Sequence, residues 1–176
     1  MAGSGTAHLR RDDPDVILTV ENMVVEFPAG KGQVVHAVSD VSFDVRDGET
    51  LGLVGESGCG KSTTAKAVVQ LVPPTSGRID FSGTDLAQLK GEALRRMRPE
   101  IQMIFQDPIS SLNPRRKVFD IVSEGVSIWG GADEGGGFSL DRVAEIIEAV
   151  GLDAETAKER RPHEYSGGQC QRISVA

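Results

Sequence analysis

The chain has 176 residues, with 19 Lys and Arg against 26 Asp and Glu, giving a formal net charge of −7. Charged residues are 26% and hydrophobic residues 39%, ordinary for a globular domain, and 21 Gly with 8 Pro are too few for a low-complexity chain. The length suits one domain with a real core, the acidic balance argues against a general nucleic-acid binder, and no run approaches the roughly 18 apolar residues of a membrane span. Residues 1–15 are small, polar and charged and read as a loose tail. Residues 17–27 (ILTVENMVVEF) are rich in β-branched side chains and predict a strand, and PAGKGQ predicts a turn. From Ala37 to Val45, apolar Val41, Phe43 and Val45 alternate with Ser42 and Asp44, the period of a half-buried strand. Residues 50–55 (TLGLVG) form a short apolar run that fits a strand buried on both faces of a parallel sheet.

A helix is expected over residues 61–72, with Ala65, Val68, Val69 and Val72 on one face and Pro73-Pro74 as its stop. A short strand and turn follow at 78–83, a helix at 92–98 and another strand at 101–105 (IQMIF). Beyond Gln106 the pattern turns helical. DPISSLNP reads as a loop set by Asp-Pro and Asn-Pro, and residues 118–129 and 140–150 read as helices. In the second, Val143, Ile146, Ile147 and Val150 make one stripe, Ser139 is the N-cap and Gly151 the C-terminal stop. Residues 130–137 (GGADEGGG) read as a flexible surface loop. There is no internal repeat. Cys59 and Cys170 have no metal-type spacing, and one pair is no disulfide framework. With no apolar leader at the N-terminus, the expectation is a cytosolic, reduced protein.

Gly55-Glu56-Ser57-Gly58-Cys59-Gly60-Lys61-Ser62 matches the spacing G-x-x-x-x-G-K-[ST]. Its glycines let the backbone curl so that successive N–H groups point inward as an anion nest. The helix that starts near Gly60 adds its positive end. Lys61 supplies a full charge to the β- and γ-phosphates of a nucleotide, and the Ser62 hydroxyl is offered to Mg²⁺; Thr63 follows in the first turn. The competing reading is a glycine turn before an ordinary helix, which the apolar run before it and the amphipathic helix after it disfavour. Cys59 sits at a variable position of the loop, either as a small tolerated residue or as an oxidisable thiol.

Tyr165-Ser166-Gly167-Gly168-Gln169, followed by CQRISVA, resembles the signature motif of ATP-binding cassette (ABC) proteins. Gln106, at the end of IQMIF, resembles that family's Q-loop glutamine, a second candidate for touching Mg²⁺. Phe27 resembles its adenine-stacking aromatic, against the alternative of a core phenylalanine on a strand. Phosphate loop, Q-loop, helical insert and signature stand in the family's order. The stretches AVSDVSFDVRDGETLGLVGESGCGKST, FQDPISSLNPR and RPHEYSGGQCQRI are similar to the ATPases of oligopeptide and dipeptide importers, with nickel and glutathione importers close by.

The resemblance implies an α/β fold: a P-loop NTPase-type core with an antiparallel β subdomain (residues 16–106 after the tail), a helical insert (107–164), and the signature with the start of its helix (165–176). It implies ATP and Mg²⁺ as ligands. Ser166, Gly167, Gly168 and Gln169 would close on ATP held by a second ATP-binding subunit, identical or different. Transmembrane permease subunits would hold the protein peripherally at the inner face of the membrane, with no nucleic-acid partner. In the family a strand bearing the Walker B aspartate and catalytic glutamate follows, and later a switch histidine. The sequence stops at Ala176, and His8, His36 and His163 all precede the signature. The expectations are therefore an incomplete sheet and a 176-residue chain that binds nucleotide without turning it over alone.

Two alternatives stand beside an importer ATPase: a nucleotide-binding remnant or regulatory module that does not hydrolyse, and an ABC protein without a transport role. The absence of sustained heptads weighs against the nucleic-acid type of the latter. Cys170 replaces the basic or amide residue usual at its position, and a helix N-terminus would mildly acidify its thiol.

Overall fold

The structure is a computed structural model that describes residues 5–129 and 139–176. The expected loop at 130–137 lies outside the described residues. The chain divides into two compact units, Met1–Met103 and Ile104–Ala176.

The first unit is built on an antiparallel sheet of order β2-β1-β3-β4. Strand β1 (Val16–Gly30) pairs on one side with β2 (Gln33–Arg46) and on the other with β3 (Ser76–Phe81), which pairs with β4 (Thr84–Asp85). Both long strands outrun their sequence limits. The expected turn shrinks to Lys31 and Gly32, both left-handed (φ 50° and 75°), as a two-residue hairpin with the native twist requires. The β1 register jumps between Val20 and Met23, where Asn22 turns left-handed (φ 49°). Gly77 fits against this bulge because it lacks a side chain: a Cβ there would lie 2.6 Å from the Asn22 carbonyl oxygen.

Val20, Met23, Val25, Ile79 and Leu86 are fully buried under the sheet, and Ala67 and Val68 of α1 (Lys61–Val68) join that core. The helix ends four residues before the expected limit. Gln70 takes the left-handed position (φ 54°), while Leu71 N donates to Lys66 O and Gln70 N to Ala67 O, a Schellman stop without glycine. Of the predicted stripe, Val68 and Val69 are buried, Val72 packs against that core and Ala65 is half-buried, and Thr64 and Ala67 are buried beside them. Arg98, just past α2 (Gly91–Met97), locks that end by donating to the carbonyls of Val69 (2.8 Å) and Gln70 (3.1 Å).

The two predicted inner strands do not form among the described residues. Residues 50–55 and 101–105 belong to no ladder, and Leu51, Leu53, Val54, Ile104 and Phe105 are exposed. An apolar run has strand character only when a neighbour accepts and donates its backbone hydrogen bonds, and none does so here.

The N-terminal segment also departs from expectation. Over residues 5–15 it lies on the sheet rather than loose. Leu9 is buried, His8 Nε2 donates to the Ser42 carbonyl (2.9 Å), and the Arg10 guanidinium reaches Asp44 (2.8 Å from Nε) and Glu49 (2.8 Å).

The second unit is helical: α3 (Pro108–Ser111), α4 (Val118–Trp129), α5 (Leu140–Ala149), α6 (Ala154–Glu159) and α7 (Gly167–Val175). Helix α3 is a single turn inside the expected loop. It has Pro108 at its start, and the Asp107 carboxylate accepts from the N–H groups of Ile109 (3.1 Å) and Ser110 (3.2 Å). Helix α4 starts at the predicted residue, Val118. In α5, Ser139 caps the start (3.2 Å to Asp141 N), and Gly151 follows the end with φ 72°. Val143 and Ile147 are buried with Val118, Phe119, Val122 and Ile173, while Ile146 and Val150 pack at the margin.

Candidate functional site

The phosphate-loop sequence folds into the turn that its glycines permit. Gly58 (φ 80°) and Gly60 (φ 98°) are left-handed, and Cys59 N donates to Glu56 O at 3.3 Å. Gly60 is the N-cap of α1, and no side chain caps that helix. Its first-turn N–H groups are thus not answered by a cap and face the loop. A Cβ on Gly60 would stand 2.3 Å from the Ala37 carbonyl oxygen of β2, and one on Gly55 would stand 2.7 Å from Cys59 Sγ. Glycine at both positions lets the loop draw close to β2 and to itself.

Lys61 folds back over the loop. Its Nζ donates to the carbonyls of Gly55 and Glu56, each at 2.7 Å, and lies 3.5 Å from Cys59 Sγ. The ammonium is thereby held against the loop's own carbonyls, a positive charge near the N-terminus of α1. Ser57 and Ser62 are exposed, and Thr63, in the first turn of α1, is half-buried. A cavity of about 260 Å³ opens beside the loop, lined by Gly58, Cys59, Lys61 and Thr64 and by residues of β2. Donors, cation and cavity fit an anionic ligand that carries a larger group. Among the described residues no group of three or more His, Cys, Asp and Glu could hold a metal ion. A divalent cation here would therefore need ligand oxygens in addition to Ser62.

Phe27 lies near the end of β1 opposite Val35, with 39% of its surface exposed, an available aromatic face rather than a core ring. Gln106 is exposed in the second unit, in neither helix nor strand, one residue before the α3 cap. Ser166, Gly167, Gly168 and Gln169 open α7. There a reciprocal capping box closes: Ser166 Oγ accepts from Gln169 N (3.3 Å), and Gln169 Oε1 accepts from Ser166 N (2.9 Å).

Cys170 corrects the expected acidified thiol. It is buried, its Sγ donates to the Pro162 carbonyl (3.4 Å), and burial pushes the thiol up. Desolvation outweighs the helix end because the side chain points into the core. Arg172 has a role that the motif did not signal: its Nη1 donates to the carbonyls of Gly151 (2.8 Å) and Val150 (3.3 Å), closing the end of α5. Only the fold, which brings α7 to that helix end, reveals it.

The sequence profile of the ABC transporter family matches residues 38–176, which include the phosphate loop, Gln106 and the signature. The chain belongs to the ABC transporter family. Among its relatives, the glutathione import ATP-binding protein GsiA of Pectobacterium atrosepticum is 48% identical over 91% of this chain and 26% of its own length. The oligopeptide transport ATP-binding protein OppF of Bacillus subtilis is 46% identical over 91% of this chain and 52% of its own. The chain thus spans about half the length of such relatives, or less. The dimeric structure of the ATP-binding cassette MJ0796 bound to ADP and Pi shares the fold, with a TM-score of 0.77 at 24% identity over 90% of this chain and 67% of that one. The fold of this ABC chain is therefore the ATP-binding cassette, mixed α/β, with its antiparallel sheet formed and its sheet not closed. No helix among the described residues is long and apolar enough to cross a membrane.

Proposed function

We propose that this ABC chain is the ATP-binding portion of an import ATPase for peptides or peptide-like solutes. The observation that carries the reading is the uncapped, glycine-walled N-terminus of α1 with Lys61 folded over it. The import-protein relatives supply the substrate class, oligopeptides or glutathione.

The loop from Gly55 to Thr63 holds the phosphates through backbone N–H groups and Lys61. Ser62 would offer its hydroxyl oxygen to Mg²⁺, with Gln106 the second candidate ligand by family resemblance, and bound Mg²⁺ would neutralise phosphate charge. Phe27 carries the adenine ring. Ser166, Gly167, Gly168 and Gln169 present a helix N-terminus to ATP held by a second ATP-binding subunit, identical or different. Permease partners grip the helical unit and bring the protein to the inner face of the membrane. In that assembly ATP binding and hydrolysis drive import.

The 176 residues alone bind nucleotide without turning it over, because hydrolysis needs a fixed metal and a positioned water. A nucleotide-binding module that does not hydrolyse ATP is the second reading.

The test is calorimetric MgATP binding with a phosphate-release assay on the same preparation. Native chain should bind MgATP, and Lys61→Ala should weaken binding by about 100-fold, the loss of a charge-assisted contact to phosphate. Absence of binding by native chain would sink the reading. Steady phosphate release lost in Lys61→Ala would instead show that these residues hydrolyse ATP unaided.

A further inference from the structure

The cavity beside the phosphate loop has a second wall made by β2, and one polar side chain on it has no role in the reading above. His36 lines this cavity together with Gly58, Cys59 and Lys61. In the sheet His36 stands opposite Glu26 of β1, and its Nδ1 lies 2.7 Å from Glu26 Oε1. Glu26 is itself fixed, its backbone N–H donating to Thr75 Oγ1 at 2.9 Å.

A carboxylate facing Nδ1 keeps the ring proton on that nitrogen and leaves Nε2 of the neutral ring as an acceptor. Nε2 has no protein partner among the described residues. A phosphate offers an acceptor no hydrogen, whereas a ribose hydroxyl does. If the phosphates lie in the loop, the sugar is the next group along the nucleotide and enters the same cavity.

We propose that His36, oriented by Glu26, accepts a hydrogen bond from a ribose hydroxyl of the bound nucleotide and so selects a nucleoside triphosphate over a bare polyphosphate. The inference rests on the phosphate-loop reading and adds a sugar contact to it. His36 touches the ligand; Glu26 is a positioning residue.

The experiment measures binding of MgATP, Mg-2′,3′-dideoxy-ATP and magnesium tripolyphosphate by the full chain, native and as His36→Ala, Glu26→Ala, the double variant and Lys61→Ala. His36→Ala should weaken MgATP about 5-fold, the size of one neutral hydrogen bond, and leave tripolyphosphate unchanged. Dideoxy-ATP should bind native chain as weakly as MgATP binds His36→Ala, and the variant should not weaken it further. Glu26→Ala should cost part of that factor alone and nothing in the His36→Ala background.

Unchanged MgATP affinity in His36→Ala overturns the proposal, as does an equal loss for tripolyphosphate, which would mean a disturbed loop. Lys61→Ala separates the two levels. If it weakens MgATP and tripolyphosphate while His36→Ala weakens neither, only the sugar contact fails. If native chain binds none of the ligands, the phosphate-loop reading fails and the sugar contact with it.

Discussion

Two helices of this ABC chain begin with glycine-rich turns, and they treat their exposed N–H groups in opposite ways. Helix α1 starts at left-handed Gly60 with no side-chain cap, while α7 starts at Ser166 inside a closed capping box. The first start has no side-chain partner for its N–H groups; in the second, Ser166 Oγ takes the Gln169 N–H and the Gln169 side chain takes the Ser166 N–H, with the Gly167 and Gly168 N–H groups outside the box. Similar sequence chemistry, small residues before a helix, thus gives an uncapped helix start in one unit and a side-chain-capped one in the other.

The strongest way to break this contrast is to close the open site. Gly60→Ala places a Cβ 2.3 Å from the Ala37 carbonyl at a left-handed φ of 98°. The loop must then leave β2, and MgATP binding should fall at least about 100-fold by calorimetry, matching a strain of roughly 3 kcal/mol.

Next in size is the support beneath the loop-bearing unit. Asp44 is buried and accepts from both the backbone N–H and the guanidinium of Arg10. Burial pushes the Asp44 carboxyl up, but the hydrogen bonds from Arg10 and the nearby charges of Arg10 and His8 outweigh it and hold the group below its ordinary value. A carboxyl that titrates lower in the folded state stabilises the fold above its unfolded range, and that contribution disappears as pH falls through the folded value. Asp44→Ala should lower Tm by about 5 °C at neutral pH, and the gap should close below about pH 4. A gap independent of pH in thermal melts would show that the carboxylate charge is not what holds the segment.

Opening the closed site should cost less. Ser166→Ala removes the hydroxyl that accepts from Gln169 N and should destabilise α7 by about 1 kcal/mol, read as faster hydrogen exchange at the Gln169 amide. Ser166→Gly should recover most of that loss.

The smallest effect belongs to Tyr165, next to the box. Its hydroxyl is buried with no hydrogen-bond partner among the described residues, and burial pushes its titration up. Tyr165→Phe removes an unsatisfied polar atom and should change stability by less than about 0.5 kcal/mol, or raise it, in urea melts. A large loss would reveal a partner for that hydroxyl.

Local chemistry carried much of the fold and the site. The start of α4, the Ser139 cap, the Gly151 stop and the phosphate-loop turn were legible because each depends on a residue's own backbone preferences or on neighbours within one turn. The one-turn α3 was hidden in a proline-rich stretch, since its start depends on how the Asp107 carboxylate turns. The end of α1 was misplaced because Gln70, which gives no glycine signal, adopts the left-handed stop.

What the sequence by itself determined, then, is the glycine turn of the phosphate loop, the helices with strong caps and stripes, and the family order of motifs. Tertiary structure alone decided three things. Residues 50–55 and 101–105 stay outside any ladder, because a strand exists only with a partner. Residues 5–15 are tied down through Arg10 and Asp44, a contact across 34 residues that no local pattern announces. Cys170 and Arg172, neighbours in the signature helix, face a core and a distant helix end, and so take properties their motif does not encode. In each case the deciding energy is a pairing between groups far apart in the chain, which exists only once folding has brought them together.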